Sequence, residues 1–186
     1  VLAHGAIFNK ESWPGLTKKL LENNISVLAI DFRGYGKSIA GNRPADKYED
    51  ILAAVRFLHS HSEIAQVSVL GASMGGSAAA TASIYSKVGE IEKLILLSPA
   101  SFTKPEKLKG DILYIASKNE RISNRIKAQF KKTPEPKQLE LIEGKAHAQH
   151  ILKTQEKTVL TELIIDFLKT KSKSIEIIYL EMGKYL

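Results

Sequence analysis

The sequence predicts an α/β fold, a mostly parallel open sheet with helices on both faces. Three observations carry that reading. Six short runs, at 1–3, 27–30, 67–70, 94–97, 112–116 and 139–142, are nearly continuous in valine, isoleucine and leucine, as strands covered on both faces are. Amphipathic stretches separate them, and strand–helix alternation implies right-handed parallel crossovers. Each run ends in residues able to do chemistry, on the edge where such sheets bind ligands.

In chain order, the run at 1–3 leads into HGAIFN. Trp13, Leu16, Leu20 and Leu21 then give a helix its apolar face, closed by Asn23 and Asn24. The run at 27–30 leads into DFRGYGKS, and Ile51, Val55 and Leu58 mark a second helix. The run at 67–70 turns through GASMGG into an alanine-rich helix over 73–87. SPAS follows 94–97, and SKNER follows 112–116. Ile122, Ile126 and Phe130 then form a shorter helix that Pro134 ends. After 139–142 comes EGKAHAQH, and a last helix carries Val159, Leu160, Leu163, Ile164, Phe167 and Leu168. Residues 1–186 are expected to form a single domain, because 186 residues with 44% hydrophobic content support one core. The tail over 171–186 alternates at Ile175, Ile177 and Tyr179. An edge strand would read so, and a packing arm fits equally.

Composition excludes several classes of function. The formal net charge is +7, but the lysines are scattered and no aromatics interleave with them. A nucleic-acid surface would concentrate both on one face, so no nucleic-acid partner is expected and the lysines are read as a solvated surface. No apolar run approaches the roughly 20 residues of a membrane span. The chain has no cysteine, which excludes disulfides, cysteine zinc sites and a thiol nucleophile. No signal pattern stands at the N-terminus, so a cytoplasmic location is the expectation.

Gly71-Ala72-Ser73-Met74-Gly75 is a GxSxG element at a strand-to-helix corner. Such a corner holds a serine hydroxyl above the sheet, and the helix start beneath it offers free N–H groups to a developing oxyanion. A serine hydroxyl needs a base. Of the five histidines, His59 and His61 fall at a helix end, where cationic residues are routine. His147 comes first after the last strand and follows small residues, so it is preferred to His150, which is expected to pack locally. The third member should follow the 112–116 run, where Glu120 is the carboxylate in reach; Asp111 stands at the wrong end. The predicted catalytic set is Ser73, His147 and Glu120. The loop after the first strand should supply the second oxyanion donor, so the Ala6 N–H is paired with that of Met74, with Gly5 allowing close approach and His4 bracing the loop. Ile7, Phe8, Trp13 and Met74 offer an apolar acyl pocket, although Trp13 is preferred as core.

The order serine, acid, histidine resembles that of the α/β-hydrolases. HGAIFNKESW resembles their oxyanion loop, DFRGYGKS their D-x-R-G-x-G-x-S segment, GASMGG their nucleophile elbow and GKAHAQH their histidine loop. The resemblance implies that Asp31, Arg33 and Gly34 shape a loop rather than react. It also implies an esterase-like serine hydrolase that cleaves carboxylic or thio-esters of small molecules, with no cofactor and no metal. Three departures stand out. The acid is usually Asp, so the loop carrying Glu120 should stand back slightly. The family's sheet usually begins with a hairpin before the His-Gly strand, whereas this sequence opens on that strand at Val1, so either those strands lie outside it or this is a minimal version. The family often inserts a lid where this chain has only 98–110, so a minimal, lidless site is expected. The alternative is a catalytically inactive member of the fold that binds or scaffolds.

Overall fold

The computed structural model describes residues 1–41 and 46–171. The calls on the tail, at Ile175, Ile177 and Tyr179, lie outside the described residues. Six strands form one sheet: β1 (Leu2–Ala3), β2 (Ala29–Ile30), β3 (Ser68–Ala72), β4 (Lys93–Leu97), β5 (Asp111–Ser117) and β6 (Lys137–Ile142). Their order is β2-β1-β3-β4-β5-β6, and every neighbouring pair is parallel. Among the described residues four α-helices connect strands, α1 (Pro14–Glu22), α2 (Lys47–His59), α3 (Met74–Tyr85) and α4 (Ser123–Lys132), and α5 (Lys157–Lys169) follows β6.

The two-residue period of the strands divides the core. Leu70, Ala72, Ile95, Leu97, Leu113 and Ile115 face α1 and α5, where they meet Trp13, Leu16, Leu20, Leu160 and Ile164. Val69, Leu94, Leu96, Ile112 and Tyr114 point to the other side, against α2, α3 and α4 through Ile51, Val55, Ala79 and Ile126. Both faces of β3, β4 and β5 are covered, which is why they read as nearly continuous apolar runs, whereas the edge strand β6 (KQLELI) is only partly buried. α3 is the most buried helix, with seven buried residues among its twelve. Only alanine, glycine and serine let it lie so close to β3 and β4.

Three lysines at the lower edge are not the solvated residues the composition implied. Lys109 donates to the carbonyls of Ile84 and Ser86 at the end of α3. Lys137 donates to Thr133 at the end of α4. Lys93, only 3% exposed, donates to Phe167 (2.6 Å), Leu168 (3.3 Å) and Thr170 at the end of α5. Each helix therefore has its unpaired terminal carbonyls and negative dipole end met by an ammonium from the start of a strand. Burial lowers the Lys93 pKa, against the opposing pull of Asp111 and Glu92. Lys93→Met is expected to destabilise the fold by about 2–3 kcal/mol, since buried carbonyls would lose their donor. Urea unfolding would measure it, and a midpoint unchanged at constant m would remove the capping role.

Among the described residues no helix is long and apolar enough to cross a membrane.

Candidate active site

The carboxyl edge of the sheet collects the residues that the sequence singled out. β3 ends at Ala72 and α3 begins at Met74, so Ser73 alone makes the corner. Its φ of 52° and ψ of −112° are strained for a residue with a Cβ. The strain is held from three sides: the Ser73 N–H donates to Leu97, and its carbonyl accepts from Ala100 and Ser77. Two glycines make the corner possible. A Cβ on Gly71 would lie 2.2 Å from the Gly75 carbonyl oxygen, and one on Gly75 would lie 2.2 Å from that of Ala3. The helix start can therefore nest against β3 and β1 only without side chains there.

His147 reaches this corner from the loop after β6. Its Nε2 is 2.8 Å from Ser73 Oγ, and its Nδ1 is 2.7 Å from Glu120 Oε2. Glu120 sits at the end of the turn that follows β5. The expectation that this loop stands back takes a specific form. The longer side chain curls over its own turn, so that Oε1 accepts from the Ser117 N–H at 3.1 Å and from Ser98 Oγ at 2.7 Å. Ser98 Oγ also accepts from the Ala148 N–H. The Glu120 side chain is 2% exposed, while that of His147 is 41% exposed. A dry carboxylate with three donors thus supports an imidazole that opens to solvent on its working side.

The loop after β1 lies against the same corner. Met74 is the first residue of α3, so its N–H has no partner within the helix. His4 is fully buried, and its ring bridges two backbone groups: Nδ1 pairs with Gly5 O at 2.8 Å, and Nε2 accepts from the Phe32 N–H at 3.2 Å. These partners require the neutral ring with its proton on Nδ1. Burial lowers the His4 pKa from 6.5, against the smaller upward pulls of the Gly5 carbonyl and Asp31. A ring kept neutral in the fold takes up its proton less readily than in the unfolded chain. Its contribution to stability is complete above pH 6.5 and is lost as pH falls from 6.5 toward the lower native value. Melting temperature should therefore fall more steeply from pH 7.5 to 5 in the wild type than in His4→Gln. Parallel slopes would show that His4 carries no such linkage.

The DFRGYGKS segment shapes its loop as the resemblance implied. Asp31 accepts from the Lys10 N–H and Nζ and from the Lys37 N–H. Burial pushes its carboxyl up, but the Lys10 ammonium and the N–H groups outweigh it and bring the pKa to about 2. Arg33 donates Nε and its backbone N–H to Asp50 at the start of α2. Gly34 sits at φ 81°.

The remaining candidates separate. At the end of α2, His59 pairs with the Glu90 carbonyl before β4 and His61 with that of Phe57. His150 is exposed and lies edge-on to Phe8, with ring centroids 5.1 Å apart. Trp13 is core, packed between α1 and α5. Ile7 is exposed to solvent rather than part of an enclosed acyl pocket, whereas Phe8 and Met74 are half-buried. Sequence reasoning missed Ser98, Ser117 and Gln149 as parts of the site. Ser98 had one readable signal, its place directly after β4; the others act through contacts that no local pattern encodes.

A parallel sheet with Ser73, His147 and Glu120 hydrogen-bonded along its carboxyl edge is the arrangement of an α/β-hydrolase. Residues 1–162 match the family described as serine aminopeptidase, S33, and the chain belongs to that family. It is a hydrolase by family. Among curated proteins, none matches it by sequence. Solved structures share the fold. The esterase Pf2001 of Pyrococcus furiosus aligns with a TM-score of 0.72 at 19% identity, over 90% of this chain and 81% of that one. The esterase EaEST of Exiguobacterium antarcticum gives 0.76 at 16% identity, over 91% of each chain. Est1E of Butyrivibrio proteoclasticus, solved with ferulic acid bound, gives 0.73 at 18%, over 90% and 86%.

Proposed function

We propose that this protein is a serine esterase that cleaves carboxylic or thio-esters of small molecules through an acyl-enzyme. The observation that carries the reading is the continuous hydrogen-bonded line from Ser73 Oγ through His147 to Glu120. Ser73 Oγ attacks the acyl carbon while its proton passes to His147 Nε2. The carbonyl oxygen becomes an oxyanion held by the N–H groups of Ala6 and Met74. The imidazolium, held by the Glu120 carboxylate, gives its proton to the departing alkoxide or thiolate, and Ser73 keeps the acyl group. Water, deprotonated by His147, then attacks the ester on Ser73; the acid leaves and Ser73 regains its proton.

The same machinery would cleave an amide, and the family's description names an aminopeptidase. The rim favours esters. Lys47 stands over Tyr35, whose hydroxyl donates to Met74 Sδ, and Lys153 stands over Phe8. Ammonium groups over these two rings would oppose the charged amino terminus that an aminopeptidase must hold. The structural neighbours named esterases agree with this reading.

A fluorophosphonate probe tests it, with 4-nitrophenyl esters of rising chain length. Labelling of the peptide that contains Ser73, together with ester turnover, is the expected result. A folded protein that takes up no label and turns over no ester would instead be a binding or scaffold member of the fold.

A further inference from the structure

We infer that Gln149 is a positioning residue that holds Gly5, at the root of the oxyanion loop, in place and ties it to the loop carrying His147. The inference rests on the proposed hydrolysis and goes beyond it. Gln149 is 2% exposed and lies two residues after His147. Its Oε1 accepts the Gly5 N–H at 2.7 Å, across 144 residues of sequence. Its Nε2 donates to Ser12 Oγ at 2.6 Å, and Ser12 Oγ donates in turn to Asn9 O. Both ends of the amide are engaged, so the oxygen cannot turn away from Gly5.

The consequence follows from peptide geometry. Gly5 contributes to two successive peptide planes. The first, between His4 and Gly5, is held by Gln149 through the Gly5 N–H. The second, between Gly5 and Ala6, has its carbonyl held by His4 Nδ1 at 2.8 Å and by the Phe8 N–H at 3.0 Å. In a trans peptide the N–H points opposite to the C=O. Fixing the Gly5 carbonyl therefore fixes the direction of the Ala6 N–H, which makes none of the loop's own backbone hydrogen bonds. Glycine at position 5 can rotate about both bonds, so neither plane fixes the other by sterics. Two independent clamps are needed: His4 and Phe8 hold the plane that gives the Ala6 N–H its direction, and Gln149 holds the preceding plane, which fixes where Gly5, and so that N–H, lies. The Gly5 N–H is also consumed by Gln149, which removes it from the donors available to substrate.

A displaced donor weakens binding of the oxyanion more than binding of the flat ester. Gln149→Met keeps the volume and removes both hydrogen bonds. With 4-nitrophenyl acetate its kcat is expected to fall roughly tenfold to a hundredfold, the scale of small misplacements, while KM stays within about twofold of the wild type. Ser12→Ala frees the Nε2 end alone, and its fall in kcat should be smaller. The double variant should fall no further than Gln149→Met, because both act through one clamp. The inference is overturned if Gln149→Met keeps its kcat within about twofold, if the loss lies in KM, or if the two effects add in full. Should Gln149→Met give no cooperative melt, Ser12→Ala decides: kcat lowered at unchanged KM supports the clamp, and unchanged kcat overturns it. A wild type that neither hydrolyses the ester nor takes up fluorophosphonate sinks the hydrolase reading, and this inference with it. An active wild type with unaltered variants sinks this inference alone.

Discussion

Ser73→Ala is expected to lower kcat on a short-chain nitrophenyl ester by roughly 10⁴- to 10⁶-fold, to the residue of catalysis that binding and the oxyanion donors supply alone. The reasoning starts from the backbone. Ser73 is kept at positive φ at a corner braced by Leu97, Ala100 and Ser77. Nothing in the packing of β3 against α3 needs the hydroxyl. Alanine fits the same corner, so the melting temperature should stay within a few degrees of the wild type. What is lost is the oxygen that His147 Nε2 meets, at 2.8 Å, and with it the proposed covalent intermediate. The measurement is steady-state turnover with a burst-phase assay for acyl-enzyme. A variant that keeps more than a hundredth of wild-type kcat would move the nucleophile elsewhere.

Glu120→Gln is expected to be nearly as damaging, by about 10⁴-fold in kcat, the scale seen when a triad acid is replaced by its amide. The neighbours of Glu120 decide which way the amide turns. Oε1 faces two donors, Ser98 Oγ and the Ser117 N–H, whereas Oε2 faces one, His147 Nδ1. The Gln oxygen will turn to the pair and its NH₂ group to His147. Nδ1 must then accept, the ring proton moves to Nε2, and the ring meets Ser73 as a donor instead of a base. Fold and volume are preserved, so a normal melt with collapsed kcat is the predicted signature. Turnover within tenfold of the wild type would show that Glu120 does not set the tautomer.

The two variants also mark how far the sequence could be read. The elbow was legible because its chemistry is local: Gly71, Ser73 and Gly75 lie within five residues, and the close approaches that demand glycine are between that corner and its immediate neighbours. The central strand runs were legible because burial on both faces leaves no polar alternation, and all six runs became strands, although β2 and β6 are only partly buried. Lys93 and Lys109 were not legible. A lysine that opens a strand looks like any surface lysine until the end of a helix from elsewhere in the chain is placed over it. Ser98 showed only its place after β4, and neither it nor Ser117 could be matched to Glu120, because a serine reports nothing of which carboxylate it will face.

The amino-acid order alone determined the layered class of the fold, the edge where chemistry collects, and which serine, histidine and acid stand there. Each of these follows from short-range periodicity or from a single sharp turn. The partners of those groups were decided only when the chain closed. Ser98 and His147 on Glu120, the Phe32 N–H on His4 and the grip of Gln149 on Gly5 all join residues far apart along the chain. A buried polar atom finds its match by proximity in space, and distance along the chain carries no record of it.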